Sequence, residues 1–143
     1  MAEFDFSSCN ITVIDDEAFV RQLLVKVLTD IGVQCVYEAE NGRDALAVLS
    51  GLGAATNLII CDLEMPEMDG FEFVSTLRAD DDPDLSSLPV LILTGHIEQE
   101  YVEKAVVLGI HGYLKKPINK TSLEQRMVRA LTAAPIDARR LKR

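Results

Sequence analysis

A chain of 143 residues has room for one domain of ordinary size, with a core that needs neither disulfides nor structural metal. With 48% hydrophobic and 26% charged residues it belongs with globular rather than disordered or fibrous chains. A net charge of −9 argues against direct binding of nucleic acid, and no run of 18 apolar residues offers membrane insertion.

Asn10 to Ile14 is the first of five short apolar runs rich in β-branched residues, followed by Gln34 to Tyr37, Leu58 to Cys61, Val90 to Thr94 and Gly112 to Leu114. Their near-continuous apolar character, with little alternation, predicts strands covered on both faces, as in a parallel sheet. Helical patterns separate them. Val20, Leu23, Leu24, Val27 and Ile31 predict one buried stripe, closed by Gly32 as a C-cap. Gly42 to Leu49 reads as a second helix with Asn41 as its N-cap. Asp69 is expected to cap a third, carrying Phe71, Phe73, Val74 and Leu77 and ending before a solvated acidic turn, Asp80 to Asp84. Val102, Ala105 and Val106 mark a fourth helix that stops at Gly109. Leu123, Met127, Val128 and Leu131 mark a fifth that stops near Pro135. Strand and helix thus alternate five times, which predicts an α/β fold: a (βα)5, doubly wound, five-stranded parallel sheet of the flavodoxin-like kind.

Charge is unevenly placed along this frame. Residues 1–84 carry 18 acidic and 4 basic side chains, whereas residues 85–143 carry 5 acidic and 10 basic. Cys9, Cys35 and Cys61 form no CxxC pair and no metal-ligand spacing, so they read as core or surface thiols. The chain opens on no basic and apolar leader, and a cytoplasmic location is the expectation. His96 and His111 read as loop or rim residues.

In folds of this kind ligands bind outside the carboxyl ends of the strands, where strand order reverses. Those ends carry a chemical set: Asp15 and Asp16 after the first strand, Asp62 after the third, Thr94 and Gly95 after the fourth, and Lys116 followed by Pro117 after the fifth. Three carboxylates, a hydroxyl and an ammonium make a hard-cation site beside an anion site. Crowding of the aspartates should raise the pKa of at least one of them. Oxygen-only ligation by few protein groups suits Mg²⁺ (or Mn²⁺), and nothing in the chain has the spacing of a dedicated calcium loop.

Four motifs in order carry a resemblance: Val13-Ile14-Asp15-Asp16-Glu17, then Cys61-Asp62-Leu63-Glu64-Met65-Pro66-Glu67-Met68-Asp69-Gly70, then Leu93-Thr94-Gly95, then Gly112-Tyr113-Leu114-Lys115-Lys116-Pro117. Together they resemble the receiver domain of two-component response regulators, in its single-domain, chemotaxis-type form. The resemblance implies a receiver over residues 10–133, an N-terminal extension over 1–9 and a basic tail over 134–143. It implies that Asp62 takes a phosphoryl group from a histidine kinase or histidine phosphotransfer protein. Asp15, Asp16, Asp62 and the backbone carbonyl of Glu64 would hold Mg²⁺, and Lys116 would neutralise phosphoryl oxygens. Thr94 and Tyr113 would form the switch, with Met65 and Gly95 beside the phosphoryl group and a cis bond between Lys116 and Pro117. The protein would then act on an unidentified downstream protein, as a phosphoacceptor that promotes its own phosphorylation and dephosphorylation and not as an enzyme with a separate substrate.

Three other readings compete. A haloacid dehalogenase-like aspartyl-phosphate hydrolase wants its nucleophile after the first strand, with a second Asp two residues on. Here Asp62 follows the third strand and that neighbour is Glu64. A flavin mononucleotide protein wants a hydroxyl- and glycine-rich loop where this chain has Asp15-Asp16-Glu17. A phosphate sink that only drains a kinase would share every motif. Partner surfaces are expected on the first helix, at Phe19, Gln22 and Lys26 for the donor, and on the fourth, at Tyr101, Lys104 and Val107 for the target.

Overall fold

Five runs of apolar residues become five parallel strands because helices cover both faces of the sheet they form. The computed structural model describes residues 4–52, 56–95, 103–104 and 107–133. In chain order these hold β1 (Asn10–Ile14), α1 (Ala18–Ile31), β2 (Cys35–Ala39), α2 (Gly42–Leu52), β3 (Leu58–Asp62), α3 (Gly70–Arg78), a four-residue helix α4 (Pro83–Ser86), β4 (Val90–Thr94), β5 (Gly112–Lys115) and α5 (Lys120–Thr132). Every strand pair is parallel and the order is β2-β1-β3-β4-β5. The fold class expected from the sequence is the one observed.

Successive strand residues point to opposite faces, and the core divides accordingly. Ile14, Ile59, Cys61, Val90 and Ile92 join Leu49, Phe73, Val74 and Leu77 of α2 and α3 on one face. Ile11, Val13, Leu58, Ile60, Leu91 and Leu93 join Leu24, Leu28, Leu123 and Met127 of α1 and α5 on the other. No helix among the described residues is long and apolar enough to cross a membrane.

Caps set most helix ends. Asn41 accepts the Asp44 N–H at 2.8 Å and Asp69 the Glu72 N–H at 2.9 Å. Gly32 closes α1 in the left-handed region, φ 103°, where a side chain would be strained. Some expectations need correction. On α1, Leu24 and Leu28 are buried and Val20, Val27 and Ile31 pack against the same core, as the stripe predicts, whereas Leu23 is 38% exposed and Leu28 joins the packed face in its place. The acidic run is only partly a turn: Asp82 accepts the Asp84 N–H at 2.9 Å and Pro83 opens α4. Within the 1–9 extension, Phe6 and Cys9 are buried in the α1/α5 core. Val102, Ala105 and Val106, the stripe expected on the fourth helix, lie outside the described residues, as do His96 and residues 134–143. Residues 103–104 and 107–108 are helical, and Gly109 closes that stretch at φ 85°.

Candidate functional site

Strand order reverses between β1 and β3, which opens a crevice at their carboxyl ends. The chain threads acid into it from both sides. Asp15 follows β1, and three bonds fix it: its N–H donates to the Ala39 carbonyl at 3.1 Å, its carbonyl accepts from Arg21 Nη1 at 2.8 Å, and its Oδ1 accepts the Glu17 N–H at 2.9 Å. Asp62 ends β3 and is buried. Its carboxylate accepts a bond from the Glu64 amide. Asp16 is exposed at the rim.

Lys116 reaches the same point from β5. Its N–H donates to the Thr94 carbonyl at 2.8 Å, which holds the lysine beside the end of β4, and the Lys116–Pro117 bond is cis. The ammonium lies 3.3 Å from Asp62 Oδ1, 3.4 Å from Asp15 Oδ2 and 3.8 Å from Glu17 Oε1. Glu17 as a third partner is a site residue that the reading of the strand ends passed over. The unbroken run Asp15-Asp16-Glu17 was the signal for it.

Burial and charge shape the electrostatics together. Burial is the main cause that pushes the Asp62 carboxyl up to about 6, and the negative charge of Asp15 adds to it; Lys116 and the Glu64 amide pull the other way. Asp15 is raised too, again mainly by burial. The expected rise is present, but desolvation leads it and crowding is secondary. For Lys116, burial favours the neutral amine, yet Asp62 and Asp15 outweigh it and hold the ammonium above its usual range.

The donor set fits a hard divalent cation. One carboxylate oxygen from each of Asp15, Asp16 and Asp62 lies within 4.8 Å of the others, and Asp15 Oδ2 is buried without a well-formed hydrogen bond. Such an oxygen is costly to bury unless a cation completes it.

Around this point lies a cavity of about 750 Å³ lined by Glu17, Asp62, Met65, Phe71, Gly95 and Lys116, among others. Its floor depends on Gly70, whose N–H donates to the Leu63 carbonyl at 2.8 Å. A Cβ at position 70 would stand 2.7 Å from the Asp62 carbonyl oxygen, too close for any other residue. At the opposite wall a Cβ on Gly95 would meet nothing within 4 Å among the described residues. Thr94 is buried at the end of β4, and Tyr113 is half-buried against the α2/α3 core. Glu67, in the loop between β3 and α3, has φ 66°, an uncommon backbone for a residue with a side chain.

The expected partner surfaces divide. Phe19 is 78% exposed, with Gln22 and Lys26 also exposed on α1. Val107 is 53% exposed. Tyr101 lies outside the described residues. Lys104, expected on the fourth helix with Val107, is exposed and lines this cavity, and its ammonium sits 4.5 Å from the centre of the Phe71 ring.

A flavodoxin-like sheet with an acidic triad and a lysine at its switch point is the arrangement of a signalling receiver domain. The model of the response regulator receiver domain matches residues 11–128, and the chain belongs to that family. It is 30% identical to chemotaxis protein CheY-3 of Vibrio cholerae over 117 residues, 82% of this chain and 87% of that one. Among solved structures it resembles V. cholerae CheY4, with a TM-score of 0.78 and 32% identity over 86% of this chain and 98% of that one. It also resembles the receiver domain of a signal transduction histidine kinase from Syntrophus aciditrophicus, with a TM-score of 0.75 and 30% identity over 87% and 90% of the two chains. The hydrolase and flavin readings fall with the family assignment.

Proposed function

We propose that Asp62 is the phosphoacceptor of a two-component pathway and that residues 10–133 form the receiver unit, flanked by 1–9 and 134–143. The observation that carries this reading is the Asp62 carboxylate at the end of β3, 3.3 Å from the Lys116 ammonium and grouped with Asp15 and Asp16. A carboxylate oxygen of Asp62 attacks the phosphorus of a phosphohistidine. The phosphorus–nitrogen bond breaks, its electron pair leaves on the imidazole, and a mixed anhydride remains. Lys116 meets the charge that spreads over the phosphoryl oxygens. Asp15, Asp16, Asp62 and the Glu64 carbonyl would hold Mg²⁺ or Mn²⁺, which supplies further neutralisation of that charge when bound. Thr94 closes on a phosphoryl oxygen, and Tyr113 repacks in response, which alters the surface offered to a downstream protein.

The donor, a histidine kinase or a histidine phosphotransfer protein, docks on α1 over Phe19, Gln22 and Lys26, and the target meets the face that carries Val107. Phe19 supports the donor surface, because a ring this exposed gains about 2 kcal/mol when a partner covers it. Phe19→Asp should therefore slow transfer from the protein donor by about tenfold and leave labelling by a small phosphodonor unchanged. Equal loss with both donors would count against a docking role.

The central test is incubation with Mg²⁺ and a small phosphodonor, followed by intact-mass analysis, for the wild type and Asp62→Ala. One added phosphoryl group on the wild type and none on the variant is the expected result. Beryllofluoride with Mg²⁺ should also shift the Tyr113 resonances in the wild type alone. A wild type that takes no phosphoryl group under Mg²⁺ would overturn the reading.

A further inference from the structure

The acceptor cavity contains a second cation that the chemistry above leaves unused. Lys104 and Lys116 line the same wall system, but their charges are committed differently. Three carboxylates within 3.8 Å surround the Lys116 ammonium. Among the described residues no carboxylate oxygen lies within 4.0 Å of the Lys104 ammonium, which rests on the face of Phe71 at 4.5 Å. An aromatic face holds an ammonium in place without neutralising it.

The rest of the cavity wall is strongly acidic, with Asp16, Glu17, Asp62, Glu64 and Asp69 all contributing. An anionic phosphodonor entering the cavity meets that acid, while Lys116 is already engaged by part of it. We propose that Lys104 selects among small phosphodonors by charge, drawing acyl phosphates into the cavity against its acidic wall. The inference rests on Asp62 as the phosphoacceptor. With acetyl phosphate, a carboxylate oxygen of Asp62 bonds to phosphorus, the bond from phosphorus to the acyl oxygen breaks, and acetate leaves with the electron pair. With phosphoramidate the phosphorus–nitrogen bond breaks, and the nitrogen, already protonated in the donor, leaves as ammonia. Acetyl phosphate is the more negative donor at neutral pH, so it gains more from Lys104.

The test measures labelling of the wild type, Lys104→Arg, Lys104→Gln and Lys104→Glu by both donors with Mg²⁺, across donor concentration and ionic strength. At low salt, Lys104→Gln should lower kcat/KM for acetyl phosphate roughly fourfold, Lys104→Glu should lower it further, and Lys104→Arg should match the wild type. For phosphoramidate the loss should be about half as large. The saturated rate should stay constant, and the differences should vanish near 1 M salt, where screening reaches about 3 Å. Equal loss for Gln and Glu, a loss that persists at high salt, or a fall in the saturated rate would overturn the proposal and leave Lys104 as packing on Phe71. If neither donor labels the wild type, the acceptor reading fails and this inference fails with it. A labelled wild type with no charge series sinks this inference alone.

Discussion

Asp62→Asn is expected to stabilise the metal-free protein at pH 7.5 by about 2 kcal/mol, although it removes the nucleophile. The buried Asp62 carboxyl titrates at about 6, against an ordinary value of 3.8. A folded value above the unfolded one means that the native state holds its proton more tightly. The stability linked to that proton is complete below about pH 4 and drains away as pH rises to about 6. Ionising the side chain in place thus costs about 2–3 kcal/mol above pH 6. Asparagine has nearly the shape of the protonated acid and carries no charge, so it avoids that cost. Urea denaturation in EDTA from pH 4 to 7.5 would show the variant and wild type converging at the acid end and separating through pH 6. A constant difference across the range would mean that the gain comes from packing and not from ionisation. Mg²⁺ should reverse the order, because a cation that binds only the native wild type stabilises it by about 2.7 kcal/mol at 100 times its Kd.

The same numbers explain why this site was readable from the residues while its energetics were not. Asp62 and Thr94 end their strands, Asp15 and Asp16 follow β1 and Lys116 follows β5, and strand ends are visible where a β-branched run stops. That Asp62 is buried follows from the sheet's depth beneath the loop between β3 and α3, which no local pattern records. Periodicity likewise placed the α1 stripe but counted Leu23 within it, because Leu23 and Leu24 both fit the spacing. Contact with β1 and α5 buries Leu24 and Leu28 and leaves Leu23 38% exposed. The contact of Lys104 with Phe71 was not legible, because a helix face read without its neighbours does not show which ring a lysine lies against. The Pro83 start of α4 was legible as Asp82 followed by Pro, an N-cap followed by the residue most suited to the first helical position.

Arg78 is the residue that sequence reasoning missed altogether, and Arg78→Met should have the largest effect on stability. An arginine at the end of a helix reads as a surface charge complementing the helix dipole. Here the side chain is 2% exposed and ties three segments together. Nε and Nη2 donate to the Gly109 carbonyl at 3.1 and 2.6 Å, and Nη1 donates to the carbonyls of Ser86 at 2.9 Å and Leu88 at 2.8 Å. Burial lowers its pKa to about 10, so the guanidinium is still charged at neutral pH. Methionine fills similar volume but donates nothing. Three buried carbonyls would lose these bonds at about 1–3 kcal/mol each, and with partial relaxation a total near 4 kcal/mol is expected. Arg78→Lys should cost roughly half as much, because one ammonium cannot reproduce the fork on Gly109 and also span the Ser86 and Leu88 carbonyls. Gly109 stands three residues before β5, which carries Tyr113, with Lys116 directly after it. Loss of the guanidinium should therefore raise hydrogen exchange over residues 109–116 more than over β1 and β3. Urea denaturation at pH 7.5 gives the total, and exchange gives its location. A loss under 1 kcal/mol, or exchange raised evenly across the sheet, would show that Arg78 does not couple the helix before β5 to the loop after α3.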